Sequence, residues 1–594
     1  MTPNTSADTA HQLAADLTWL EGYASQREEL HSAVIPLRLS AALLRNQIAP
    51  FLNGRASHPL HIAVVGGAGT GKSTIANFLI GRSVAESNPQ AGFTRHPVAL
   101  VAAESSVGSV LTSGILGPLQ PIAGPCPSDR DEDVFQVREV ALPDSSPLEP
   151  LQHAVIWDCP DMTTWKANQY QTRLVETIGL ADLVVYVASD ERYNDAWPTQ
   201  YLQYILQTGK PVIACLTKMQ ANQVDPLLKH FREQVIAQIP ECIGITHVVA
   251  MPALTPSEQL DPAGVGSVHR KSVLEPVQWW LKQPHKTRLD SVHRAVRFLD
   301  QFQERLLLPA QHDLKVAQAW EQQVKTGEQT MLNRYQNEYL AGEQFPHFNI
   351  AMLKLMEMLE LPGAGQYLSK MMHFLRSPYR WVKNWIQKPS EAGPQEVQIL
   401  QSTFQGWLDR LRLNVIQQDQ GNPVLQALRN AFIGQRESQF MEKFNSQIQS
   451  FIQQQSIETE KTARAIYEEL GKQPTALNTL RGLKFSVEAA SVAGVVFTAG
   501  THFLLYPLLL PLAASLTQGL TETLGKKYVD SEREKARSRQ LVVFKEILTT
   551  PLTVELLKWP YKLVPELTEL KSITARLPAS IHSLQQTLAR QEAA

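Results

Sequence analysis

Lys72 and Ser73 close a glycine-rich run, Gly66-Gly67-Ala68-Gly69-Thr70-Gly71, that follows the apolar stretch Ile62–Val65. The β-branched run before it reads as a buried parallel strand. After it, Ile75, Phe78 and Leu79 fall at helical spacing. G-x-x-x-x-G-K-S between a strand and a helix is a phosphate-binding loop in its required setting. The glycines let successive backbone N–H groups point at one oxyanion, and the helix that follows adds its positive N-terminal end. Lys72 would reach the β- and γ-phosphates and serve the chemistry, and the Ser73 hydroxyl would ligate Mg²⁺. Gly66, Gly67, Ala68, Gly69, Thr70, Gly71 and Thr74 complete the expected nucleotide-binding set.

Three further stretches fit a nucleoside triphosphate. Ala91-Gly92-Phe93-Thr94-Arg95-His96-Pro97 lies at the distance of a switch loop, where Thr94 would give its hydroxyl to Mg²⁺ and its N–H to the γ-phosphate. Ala154–Asp158 is an apolar strand ending in a carboxylate, as a Mg²⁺ site of this kind needs, so Asp158 is the second expected metal residue. The turn after it reads Asp158-Cys159-Pro160-Asp161, with Asp161 in the place of the glycine that closes D-x-x-G and Met162 where a water-orienting glutamine would stand. A carboxylate there repels phosphate unless it turns away or meets the cation. Thr217-Lys218-Met219-Gln220 follows the apolar run Val212–Leu216 and occupies the place of [N/T]-K-x-D. Lys218 can lie over a purine ring, but Gln220 offers one acceptor and an NH₂, so it cannot take both guanine N–H bonds as an aspartate does. Ala253, after the run His247–Ala250, would meet the base edge through its backbone.

The order of these elements resembles the Ras-like P-loop GTPases, and Thr94–Pro97 with Asp158–Asp161 looks most like bacterial dynamin-like GTPases. Ala68 and Gly69 stand where dynamins commonly carry glutamine and serine. The resemblance implies GTP and Mg²⁺ as ligands, hydrolysis of GTP, and a homodimer or oligomer.

These residues must be held by an α/β fold. From about residue 58 to 282 strand and helix patterns alternate, predicting an α/β domain with a mainly parallel sheet and helices on both faces, which the resemblance implies is a P-loop GTPase domain. Strands are expected near Ile62–Val65, Ala99–Ala102, Phe135–Ala141, Ala154–Asp158, Leu183–Val187, Val212–Leu216 and His247–Ala250, with loops over Gly124–Asp133 and Leu142–Pro150. Residues 1–57 carry helical periodicity and are expected to pack on a large all-α bundle, which occupies 283–485 and returns over 526–594. Between these lies 486–525, whose core Ala489–Thr521 contains no Asp, Glu, Lys or Arg. Pro507 and Pro511 at its centre favour an apolar hairpin, either a membrane-inserted tip or a hairpin buried in the bundle core. Lys370–Lys388 interleaves Trp381 and Trp385 with Arg376, Arg380 and Lys383, which suits an interfacial helix on anionic lipid or a bundle helix with a solvated basic face.

The 594 residues carry 57 acidic and 55 basic side chains, a net charge of −2, so no global field attracts nucleic acid and none is expected as a partner. The four cysteines lack metal spacing, and the N-terminus reads as no signal peptide. The expected setting is cytoplasmic, peripheral at the inner face of a membrane. The leading expectation is a dynamin-like GTPase coupling Mg–GTP binding and hydrolysis to helical rearrangement at a membrane. The alternative is a soluble nucleotide-dependent switch or scaffold with little hydrolysis, favoured by Asp161, Met162 and Gln220; an ATPase is a third reading.

Overall fold

The computed structural model describes residues 5–54, 59–85, 94–103, 115–122, 124, 133–141, 154–162, 167–191, 194–220, 224–237, 245–260, 265–341, 345–360, 395–417, 421–433, 436–481 and 506–592. The chain divides into two compact units, residues 1–312 with 569–594, and residues 313–568.

The first unit is built on an eight-stranded sheet: β1 (Leu60–Gly66), β2 (Val98–Ala102), β3 (Gln120–Ile122), β4 (Val134–Val140), β5 (Ala154–Asp158), β6 (Leu183–Ser189), β7 (Val212–Met219) and β8 (His247–Pro252). Their order is β3-β4-β2-β5-β1-β6-β7-β8, parallel throughout except where β2 runs against β5. β1, β5 and β6 are buried along their whole length, as continuous apolar runs in a covered parallel sheet must be. The seven expected strands are all present. The three-residue β3 went unforeseen because Gln120-Pro121-Ile122 carries neither length nor alternation.

Central placement of β1 decides where the chemistry can be. β5 and β6 flank it, with Val64 opposite Asp158 and Gly66 opposite Val187. The C-terminal ends of the three strands therefore converge, and ligands of open parallel sheets bind at such ends. Ile62, Val64, Ile156, Val185 and Ile213 form one core with Ile75, Phe78 and Leu79 of the helix after the loop and Val273 and Val277 of a later one. Each such side chain, fully buried, stabilises the fold by about 1.5–3 kcal/mol.

The N-terminal helices α1 (Thr5–Ser25) and α2 (His31–Leu43) belong to this unit. Helix α2 packs on α4 (Ala167–Leu180), which lies between β5 and β6 in sequence, while α3 (Lys72–Ile80) follows the glycine-rich loop. Gly179 is held against α2, where a Cβ would stand 2.6 Å from that of Ala42. Part of the apolar surface of α2 is thus covered by α4 of the same unit. Residues 569–594 also join this unit: Arg576 binds both carboxylate oxygens of Asp16, and Ser6 meets Thr587. Sequence periodicity shows that a helix needs a partner face but not which face.

A buried ion pair fastens the sheet to helix α5 (Pro284–Leu306). Arg288 donates to Asp182 at 2.6 Å and to the carbonyl of Pro59, and Asp182 also accepts the His61 N–H at 2.9 Å. Burial alone would raise the Asp182 pKa, but Arg288 and the His61 N–H hold it below the usual carboxylate value.

The second unit is helical. Its centre is a buried carboxylate, Glu396, at the start of α6 (Gln395–Gln417). It accepts from Tyr335 Oη at 2.6 Å, Tyr339 Oη at 3.1 Å, Gln455 Nε2 at 3.0 Å and Gln540 Nε2 at 3.3 Å, and lies 3.2 Å from His347 Nε2. Gln455 belongs to α7 (Arg436–Gly471) and Gln540 to α9 (Lys526–Phe544); between them in sequence lies α8 (Tyr506–Leu524).

Helix α8 bears on the expected apolar hairpin. Pro507 and Pro511 both sit in one continuous helix, so the chain does not turn at the proline pair. Pro507 falls in the first turn, where its missing N–H costs nothing and its fixed φ suits the helix; Pro511 removes a single intrahelical bond. Ala513, Leu516 and Leu520 are fully buried in the helical unit. The other arm of the expected hairpin, 489–505, lies outside the described residues, as does Lys370–Lys388. Among the described residues no helix is long and apolar enough to cross a membrane.

Candidate functional site

The loop between β1 and α3 has the backbone its sequence requires. A Cβ at Gly66 would lie 2.1 Å from the Val187 carbonyl oxygen, so only glycine lets β1 pass β6 there. Gly71 caps α3 at φ 93°, in the left-handed region that favours glycine. Thr70 Oγ1 donates to the Gly67 carbonyl at 2.9 Å and fixes the loop from within.

Lys72 opens α3 and is buried. Its Nζ donates to the Gly67 carbonyl at 2.9 Å and forms an ion pair with Asp161. Ser73 Oγ donates to Asp158 Oδ2 at 2.9 Å. The structure therefore brings Lys72, Ser73 and Asp158 together as the spacing predicts, and adds Asp161, whose carboxylate takes the lysine. Burial, partly offset by Lys72 and Ser73, pushes the Asp158 carboxyl up to about 6. Its other oxygen, Oδ1, is buried and finds no hydrogen-bond partner. That open lone pair beside a serine hydroxyl fits a divalent cation, held by Ser73 directly and by Asp158 through its shell. Among the described residues no cluster of three or more His, Cys, Asp or Glu could hold a metal. The cation would complete its coordination from phosphate and water.

Thr217, at the end of β7, reaches the same loop: its hydroxyl donates to the Thr70 carbonyl at 2.6 Å. This contact gives the threonine a structural role, since it ties the end of β7 to the phosphate loop. Lys218 follows at φ 61° and, like Gln220 and Ala253, is exposed. Thr94 is half-buried ahead of β2 and makes no hydrogen bond to Ser73 or Asp158; Ala91, Gly92 and Phe93 lie outside the described residues.

One residue escaped sequence reasoning. Arg173, buried on α4, donates from Nη1 to the Arg95 carbonyl at 3.1 Å and from Nε to Asp133 at 3.3 Å. It links the helix after the Asp158–Asp161 turn to the segment beside Thr94. A single arginine in a helix gives no local signal of such a role.

Residues 61–218 match the family model described as 50S ribosome-binding GTPase. They form a P-loop GTPase domain. The match runs from β1 to Lys218 and so spans the phosphate loop, the Asp158 strand and most of β7. No curated protein matches the chain in sequence. Solved structures similar to it include two from work on an oligomerised bacterial dynamin pair that provides a mechanism for the long-range sensing and tethering of membranes. One is 11% identical over 92% of this chain and 94% of the other, with a TM-score of 0.39. The second is 12% identical over 90% and 91%, with a TM-score of 0.40. LeoA, a bacterial dynamin GTPase from ETEC, is similar at 13% identity over 100% and 99%, with a TM-score of 0.23.

Proposed function

We propose that the GTPase domain binds Mg–GTP and hydrolyses it, and that the chain is a dynamin-like protein in which nucleotide state drives rearrangement of its helices at an anionic membrane. The observation that carries the nucleotide part is the convergence of Lys72, Ser73 and Asp158 at the ends of β1 and β5, with Asp158 Oδ1 left open. Lys72 would neutralise the β- and γ-phosphates and Thr94 would close on the γ-phosphate. Mg²⁺ would supply charge neutralisation, and Ser73 and Asp158 would hold it. The exposed Lys218, Gln220 and Ala253 would receive the base, with Gln220 relaxing the choice of guanine over adenine.

The membrane part rests on sequence: the uncharged stretch 489–521 and the basic, tryptophan-bearing stretch 370–388. Ala513, Leu516 and Leu520 at the C-terminal end of the first stretch are buried in the helical unit, so the lipid contact is proposed for 489–505 from its sequence. A homodimer or higher oligomer is part of the same reading.

The test is GTP turnover by the full chain against rising concentrations of phosphatidylserine-containing vesicles. Stimulation of several fold is the expected outcome. Flat turnover with GTP bound would favour the second reading, a nucleotide-dependent switch with little hydrolysis. The pairing of Asp161 with Lys72 and the Met162 side chain in the water-orienting position both support that alternative.

A further inference from the structure

Asp161 stands where the D-x-x-G turn ordinarily ends in glycine, and its carboxylate forms an ion pair with Lys72 in which both side chains are buried, 7% and 4% exposed. The turn that carries it is fixed on both sides. Cys159 N–H donates to the Val64 carbonyl at 3.2 Å, and Met162 N–H to the Gly66 carbonyl at 3.1 Å. The carboxylate is thus held over the phosphate loop by the backbone of β1, and it takes from Lys72 a donor that a terminal phosphate oxygen would need. The remaining Lys72 contact, to the Gly67 carbonyl, lies within the loop itself.

We propose that Asp161 is a built-in surrogate for the γ-phosphate, so that the loop favours nucleoside diphosphate over triphosphate. The inference rests on the guanine-nucleotide reading above and adds to it the preferred nucleotide state. A diphosphate leaves the Lys72–Asp161 pair in place, because Lys72 has three N–H donors and the β-phosphate needs only one. A triphosphate brings its terminal phosphate against the same carboxylate and competes for the same cation. Two anions a few ångströms apart in a buried site repel strongly, and a carboxylate stripped of its cation there is costly. The triphosphate must therefore expel Asp161 and move the turn, whereas a glycine turn would impose no such cost.

The test is equilibrium binding of GDP and of a non-hydrolysable β,γ-imido analogue of GTP, each with Mg²⁺, to the full-length wild type, Asp161→Asn and Asp161→Gly. The wild type should bind GDP more tightly than the analogue. In both variants the analogue should bind roughly tenfold tighter or better than in the wild type, with GDP changing far less. A wild type that binds the analogue as tightly as GDP overturns the inference without recourse to any variant. Variants whose GDP-to-analogue ratio matches that of the wild type also overturn it. Weaker analogue binding by the variants overturns it too, and assigns Asp161 to the cation instead. If neither nucleotide binds any of the three proteins, the guanine-nucleotide reading itself falls and takes this inference with it.

Discussion

At the scale of single residues, Lys72 is buried in an ion pair with Asp161 and is the cation proposed to meet phosphate. Lys72→Ala should weaken nucleotide binding by about 2–5 kcal/mol, tens of fold or more in Kd, because it removes the cation from a buried site. It should also lower the melting temperature of the nucleotide-free protein, since Asp161 would remain buried without its partner. Calorimetric titration and a thermal melt read the two effects separately; unchanged affinity would remove the phosphate assignment. Most of this site was legible in the sequence. Gly66, Gly71, Lys72 and Ser73 are fixed by spacing, and a backbone loop that must approach phosphate leaves few alternatives to those residue types. Asp161 was visible as a departure from glycine, but its destination was not, because the partner of a charge depends on which strands lie side by side.

At the scale of elements, β1 is the member on which the others are registered. Its start is clasped by Arg288 and Asp182, and its end by the Met162 and Cys159 N–H groups. Arg288→Met should destabilise the first unit by about 3–5 kcal/mol, because Asp182 would lose its cation in a buried site. Chemical denaturation of the variant and of Arg288→Met combined with Asp182→Asn checks this; the double variant should recover part of the loss. Sequence pattern located seven strands to within about three residues, since buried parallel strands announce themselves as continuous apolar runs. It could not show that β2 runs antiparallel to β5, because strand direction leaves no trace in composition. It also placed a bend at Pro507 and Pro511, where tertiary packing of Ala513, Leu516 and Leu520 keeps a helix instead.

At the scale of the whole molecule, each compact unit keeps its own buried charge. In the second unit, burial opposes ionisation of Glu396, but His347, Tyr335 and Gln455 hold its carboxyl below the usual glutamate value. The folded state therefore binds fewer protons than the unfolded chain in the acid range just under that value. Glu396 thus contributes stability at neutral pH that is lost as pH falls through the folded-state value. Glu396→Gln should flatten the acid limb of the unfolding profile and lower stability near pH 7. Circular dichroism across the pH range from about 7 to 3 checks both. Equal slopes in variant and wild type would remove Glu396 as the acid-sensitive group.

The unit that begins at residue 1 is completed only by residues 569–594. Leu570, Ile573, Leu577, Ile581, Leu584 and Leu588 form the buried stripe of that last helix, and Arg576 binds Asp16. Residues 569–594 therefore leave the ribosome after the GTPase domain they pack with. Throughout synthesis the N-terminal helices must wait with part of their surface uncovered, so a chain stopped short of residue 569 would carry a phosphate loop on an unfinished scaffold.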